Sequence, residues 1–331
     1  MGTIGFLCAP LRTLAMVVVV VALNLTGMAS AQTRPETFVS LGSGEMTAVY
    51  YPVGKAICQV IFRDLRAQGI WCSSEATPGS AYNVEHVVSG ELEFAIVQSD
   101  IAFSAYKGIG RWNRKPVTEL RSVLSLFPEL VTVVARTDAN IHGLADLAGK
   151  RVSVGSPATG PRTTWNLMST DLDLMPPVRL TELRQNETTS SLCDGAIDAN
   201  FFVVGHPSKL VSGWLAACPS NFVAVTGPVV DKLIQEYPFY TRGFISPQLY
   251  HVPERVPSFG PLATLVTSAS TDPRMVTAIT KAIVAHIGEL KTMHPVLAEL
   301  DAKQMVARTL KAPAPMHPAA TAVYKALGLA K

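Results

Sequence analysis

Two stretches of this chain occur twice, in the same order, and that doubling constrains the fold more than any single element does. FVSLGS at 38–43 returns as RVSVGS at 151–156, and GELEFAIV at 90–97 returns as GAIDANFFVV at 195–204. The first pair reads as a strand, a Gly-Ser turn and a following helix. The second reads as a helix end, a glycine, an apolar-acidic pair and a buried strand. A unit used twice, far apart in one chain, predicts two similar α/β lobes.

The segments between fit that plan. Residues 48–68 place Val49, Val53, Ile57, Val60 and Ile61 at helical spacing. Strands are expected over 38–41, 94–97, 130–135, 151–154 and 201–204, a helical turn over 144–147, and helices over 80–88, 163–175, 188–192, 273–292 and 295–309. This alternation predicts a mostly parallel sheet in each lobe. The extended apolar stretches 130–135 and 262–267 read as crossings between lobes. Lobe one would then comprise 36–130 with 262–331, and lobe two 131–261, with the crossings permitting hinge closure.

Open α/β sheets bind ligands at the C-terminal ends of their strands. Gln98, Ser99 and Asp100 stand at such an end, directly after the apolar run Phe94–Val97. Gly42-Ser43-Gly44 follows the first strand, where close backbone approach and free N–H groups can hold an anion. Pro78-Gly79 forms a turn, with Ser80 as a helix N-cap. Ser156, Thr159, Gly160 and Arg162 lie in GSPATGPRT, which lacks the lysine of a nucleotide-phosphate loop. There Thr159 caps a helix with Pro161 in its first turn, and Arg162 can supply a countercharge. A small anion would sit at this helix start. Asp100 would meet a positive or hydroxyl group at the other end of the ligand, or brace its own loop.

Enzyme motifs are absent. The chain has no GxSxG elbow and no HExxH pair, and its seven histidines are scattered. A secreted α/β enzyme would have to use Asp100 and His206 across the cleft, or draw on Asp198, without a recognisable nucleophile–base spacing. Neither a cofactor nor a metal is expected, and a formal charge of +3 without a basic tract gives no footprint for nucleic acid.

The N-terminus carries a targeting pattern: Arg12, the apolar run Leu14–Leu23, and Ala29-Ser30-Ala31 before Gln32. Residues 1–31 read as a cleaved signal peptide, with an uncleaved anchor as the alternative. Cleavage would remove Cys8 and leave Cys58, Cys72, Cys193 and Cys218. Four cysteines in an oxidising compartment allow three connectivities. The sequence-local pairs Cys58–Cys72 and Cys193–Cys218 are favoured, with free buried thiols as the other reading.

YYPVGKAIC (50–58), PGSAYN (78–83), SGELEFAIVQSD (89–100), LRSVLSLFPELVTVVAR (120–136), LADLAGKRVSVGSP (144–157), LCDGAIDANFFVVGHP (192–207), VTGPVVDKL (225–233) and FGPLATLVTSA (259–269) resemble, in order, the TAXI family of TRAP-transporter receptors. The resemblance covers nearly the whole chain after residue 31. It implies a two-lobe periplasmic binding protein of type II, monomeric, that hands glutamate, glutamine or another small carboxylate to an ion-gradient-driven TRAP permease. It places ligand contacts on Ser43 and Gly44, Gly79 and Ser80, Gln98 to Asp100, and Ser156 to Arg162, with Tyr50 in the YYP element. The same fold could instead serve an ABC permease or a sensor kinase. Two departures narrow the loops and bear on the usual amino-acid ligand. The first loop runs GSGEMTAVYYP, with Glu45 and Met46 where the family commonly has glycines, and Pro78 replaces a usual glycine. The four cysteines fit a cysteine-containing branch of the family.

Overall fold

The computed structural model describes residues 1–3, 5 and 36–331 apart from 158, 172–174 and 238. The signal segment expected at the N-terminus lies outside the described residues except at 1–3 and 5. Twelve strands are named in chain order: β1 (Thr37–Gly42), β2 (Ile70–Glu75), β3 (Phe94–Gln98), β4 (Leu120–Pro128), β5 (Leu130–Arg136), β6 (Arg151–Ser153), β7 (Arg179–Thr181), β8 (Ala199–Val204), β9 (Ser220–Val223), β10 (Thr241–Ile245), β11 (Val256–Gly260) and β12 (Leu262–Ser268).

They build two five-stranded sheets, in the orders β2-β1-β3-β12-β4 and β7-β6-β8-β5-β9, and a small β10–β11 ribbon. The two orders are equivalent. In each, a strand leads the sheet, its parallel partners flank it, and a strand next to a crossing inserts antiparallel. The sheets are therefore mixed rather than mostly parallel. β1 pairs in parallel with β2 and β3, but β12 runs antiparallel to both β3 and β4. Likewise β6 is parallel to β7 and β8, while β5 is antiparallel to β8 and β9. The antiparallel half comes from the crossings, which enter each sheet against the direction of the helix-connected strands.

Equivalent backbone contacts fix the correspondence between lobes. Glu93 N–H donates to Ser40 O, and the Glu93 carboxylate accepts from Ser40 N–H at 2.7 Å. Asp198 repeats both bonds on Arg151, with its carboxylate 2.8 Å from Arg151 N. Glu93 thus matches Asp198, as the sequence repeat has it, but Arg151 matches Ser40 and not Phe38. The slip is two residues. Side chains alternate faces with period two along a strand, so the inward and outward pattern survives it and the shifted match still reads as a repeat.

Helices cover the sheets. Tyr50–Leu65 buries Tyr50, Val53, Ile57, Val60 and Ile61 along one stripe, against strand residues such as Leu41 and Phe94 in the same core. Ser80–Ser89 buries Ala81, Val84 and Val87 in a core with Ala95 and Val97. Gly79 occupies the N-cap position expected of Ser80, which is instead the first helical residue. The helix expected over 163–175 begins at Gly160 and passes into a π-turn over Leu167–Asp171. The C-terminal helices Pro273–Ala285, Ile287–Met293, Ala302–Thr309 and Pro318–Ala326 contribute Ile279, Leu290, Val306 and Tyr324 to the core beneath the first sheet. No helix among the described residues is long and apolar enough to cross a membrane.

The disulfides are Cys58–Cys72 and Cys193–Cys218, with Cα–Cα separations of 5.0 and 5.5 Å. The first ties Tyr50–Leu65 to β2, and the second ties Thr188–Cys193 to the end of Lys209–Ala217. Both are the sequence-local pairs.

Candidate functional site

The chain passes between sheets at two adjacent points. One is Glu129, the single residue between β4 and β5; the other is Pro261, between β11 and β12. They are hydrogen-bonded, Glu129 N–H to Pro261 O at 2.9 Å. Gly260 is required there, because a Cβ would fall onto the Glu129 carbonyl.

Beside this crossing lies a cavity of about 40 Å³. One wall comes from Gly44, Glu45, Val49, Tyr50, Gly79, Ser80 and Gln98; the facing wall comes from Thr159, Gly160, Gln185 and Phe202–Val204. Glu129 projects into it from the crossing. Its carboxylate accepts a 2.5 Å bond from Tyr50 OH, and both side chains are buried. Burial pushes both the Glu129 carboxyl and the Tyr50 phenol well above their ordinary values, and their proximity adds to the rise at Tyr50. Glu45 is half-buried at the cavity edge and is also raised by burial, with Arg184 opposing. No lysine, arginine or histidine stands among the described lining residues, so the wall is acidic.

The walls touch through Gly160 and Gln98. A Cβ on Gly160 would overlap the Gln98 side-chain oxygen, so a larger residue there would have to push the Gln98 side chain aside. Gln98 Nε2 donates to Thr164 Oγ1 at 3.4 Å, and Gln98 N–H donates to Ser80 Oγ at 3.1 Å.

Of the twelve residues expected to hold ligand, Gly44, Tyr50, Gly79, Ser80, Gln98, Thr159 and Gly160 line this cavity, and Ser43, Ser99, Asp100, Ser156 and Arg162 do not. Ser43 Oγ donates to Glu75 O at 2.6 Å. Ser99 Oγ accepts from Leu262 N–H at 3.0 Å, and Ser156 O accepts from Thr159 Oγ1 at 2.7 Å. Arg162, expected as the countercharge, donates to Asn166 Oδ1 and pairs with Glu182. A guanidinium already neutralised by a carboxylate has little left for an anion.

Asp100 is a clasp. It is fully buried, and its Oδ2 accepts from Thr164 Oγ1 at 2.7 Å and from Tyr240 OH at 2.8 Å, both in the second lobe. Burial lifts its pKa to about 6, against the pull of those two hydroxyls. His206, the other half of the enzyme alternative, shares its ring nitrogens with Thr132 Oγ1 at 2.9 Å and Tyr250 OH at 2.6 Å. Burial lowers it to about 4, leaving a neutral imidazole. Each group is committed to its own network.

Sequence reasoning passed over Glu129, Gln185 and Asn200. A signal for two of them was present: Glu129 is the lone acid within SVLSLFPELVTVVA, and Asn200 the lone amide within ANFFVV.

Two mixed sheets of equivalent strand order, joined by a double crossing beside a cavity, define the two-lobe fold of periplasmic solute-binding proteins. Similar solved structures include one reported for glutathione import and the cystine ABC importer of Streptococcus mutans (9% identity, TM-score 0.50, covering 80% of this chain and 96% of that one). Another is an ancestral arginine-binding protein bound to arginine (14% identity, TM-score 0.49, 78% and 96%). A third is the alkanesulfonate-binding protein of Xanthomonas axonopodis pv. citri bound to MOPS (14% identity, TM-score 0.48, 90% and 86%). Residues 41–328 match the NMT1-like family, and the chain belongs to it.

Proposed function

We propose that this chain is an extracytoplasmic solute receptor that closes two lobes on a small carboxylate and delivers it to a TRAP-type permease driven by an ion gradient. The lobes are 36–130 with 262–331, and 131–261, and residues 1–31 direct export to the periplasm. One observation carries the reading: the cavity takes its walls from residues on both sides of the crossing, beside Glu129 and Pro261. A solute held there contributes contacts to both lobes at once, and so favours closure by its differential affinity.

The wall chemistry narrows the solute. The helix Ser80–Ser89 has no side-chain cap, and its first turn lies at the cavity wall. Its N–H groups suit a carboxylate. With Arg162 engaged elsewhere, the remaining charges are Glu129 and Glu45. An ammonium against the free oxygen of Glu129 offsets the cost of ionising that buried carboxyl. A carboxylate that also carries an amino group therefore fits better than a dicarboxylate.

Native mass spectrometry should find a co-purified solute, and calorimetry should show amino-bearing carboxylates binding more tightly than dicarboxylates. Absence of binding by either class would remove the reading. Uptake into vesicles containing the permease should follow an ion gradient and continue without ATP; dependence on ATP would point to an ABC partner.

A further inference from the structure

A groove of about 540 Å³ adjoins the solute cavity and shares Ala48 and Val49 with it. One side is built by Met46, Tyr51, Pro52 and Lys55, from the loop after β1 and the start of Tyr50–Leu65. The other is built by Pro207, Lys209 and Leu210, at the start of Lys209–Ala217. Tyr50–Leu65 packs on β2 of the first sheet, and Lys209–Ala217 on β5 and β9 of the second. The groove therefore takes a wall from each side of the crossing, as the cavity does.

Its charge is the reverse of the cavity's. Lys55, Lys209 and His294 line it, and no aspartate or glutamate does. Both lysines are exposed, and among the described residues neither is ion-paired with a carboxylate. Lys55 Nζ lies 5.8 Å from the centre of the Tyr51 ring. Burial lowers the His294 pKa and the charge of Lys209 lowers it further, so the imidazole is neutral and the lysines carry the charge. Both helices begin here with no acid in the first turn and no side-chain cap, and their N–H groups add to the positive field. Around the charges the lining is apolar, with Met46 71% exposed beside Pro52, Pro207 and Leu210. A free small anion would use the lysines and leave that surface wet. A chain in which acidic and apolar residues are interspersed would use both.

We infer that this groove is the docking site for an acidic, extended segment of the receptor's membrane partner. The inference rests on the receptor reading above, and names the surface and the chemistry by which that partner holds on. One carboxylate of the segment pairs with Lys55 and another with Lys209, while apolar residues between them cover Met46 and Leu210. Pairs at an exposed rim govern encounter rate and orientation and are screened by salt. Because the two lysines stand on helices of different sheets, the segment reaches both only when those helices are as close as they are here.

The test is binding of the solute-loaded full chain to the purified permease in lipid nanodiscs. Lys55→Glu and Lys209→Glu should each weaken binding at least about tenfold, and the double variant more. Lys281→Glu, an exposed lysine outside the groove, should stay within about twofold. Raising salt from about 0.05 to about 0.5 M should weaken the unmodified protein and change the double variant little. Calorimetry should show solute affinity unchanged in every variant, which also establishes that each is folded. A double variant that binds the permease as the unmodified protein does would overturn the dock. So would a loss of solute affinity in the lysine variants, which would assign the lysines to the solute. Saturable binding of citrate that the double variant loses, with permease binding intact, would make the groove a small-anion site instead. These results leave the receptor reading standing. If the unmodified protein binds solute but not the permease, the choice of partner falls and the dock with it; if it binds no solute, the receptor reading itself falls.

Discussion

The two lobes repeat one strand order and end it in opposite ways. In the first, β3 runs out into Gln98, Ser99 and Asp100, and these side chains or their own backbones all find partners within the protein. In the second, the matching positions are Val203, Val204 and Gly205, and the polar residue comes earlier, at Asn200, with both amide atoms unpaired. A polar strand end is thus not by itself a ligand contact. The first lobe uses its acid to hold the second lobe, and the second keeps an amide free beside the cavity. What separates the two is hydrogen-bond accounting, which a list of residue types does not record.

Four measurements press on this comparison. The disulfides give the largest effect, one in each lobe. Replacing either pair by serine should cost about 3 kcal/mol, with the longer 25-residue separation of Cys193–Cys218 worth about 0.5 kcal/mol more than the 14 of Cys58–Cys72. Denaturant unfolding should show a single transition in both variants if the lobes unfold as one unit; two transitions in only one of them would show that the lobes differ in autonomy.

Next comes the clasp. Because burial raises the Asp100 carboxyl to about 6, the folded protein holds that proton more tightly than the unfolded chain does. Its contribution to stability is fully present below about pH 4 and is lost as pH rises through about 6, a swing of up to about 3 kcal/mol. Asp100→Asn keeps an acceptor for Thr164 and Tyr240 and should remove that part of the pH dependence. Urea midpoints at pH 4 and pH 7 for the two proteins decide it, and parallel slopes would rule out Asp100 as the titrating group.

The contact between walls is tested by Gly160→Ala. Its Cβ must displace Gln98, at a cost of about 2 kcal/mol to the closed arrangement, and solute affinity should fall correspondingly. The smallest effect belongs to Arg162→Ala. An arginine paired with a half-exposed Glu182 should matter by less than about 1 kcal/mol, and solute affinity should stay within twofold. A large loss there would restore Arg162 as the countercharge.

Much of the architecture could be read from the sequence, because it is written in apolar periodicity and in local spacing. Phe94–Val97, Leu130–Ala135 and the stripe on Tyr50–Leu65 are such cases, as are the two cysteine pairs. The site was legible only in part. Glycines at turns, such as Gly79 and Gly160, signal close approach wherever they occur, and they line the cavity. The use made of a charge depends on partners remote in sequence. Asp100 meets Tyr240, and Tyr50 meets Glu129, across separations of 140 and 79 residues that no local pattern encodes. Sheet direction was misjudged for a related reason: the antiparallel strands are supplied by the crossings, whose direction is set by the whole topology.

The place of β12 also sets a timetable. It fills the gap between β3 and β4, with Ala263 opposite Gln98 and Leu265 opposite Leu124. Those neighbours precede it by well over a hundred residues of chain. As the polypeptide emerges from its N-terminus, every strand of the second sheet is available before β12 exists, while the first sheet still has an open seam. The lobe that begins first must therefore finish last. From residue 128 until residue 268 arrives to close them, its β3 and β4 edges are the vulnerable surface, open to pairing with other chains.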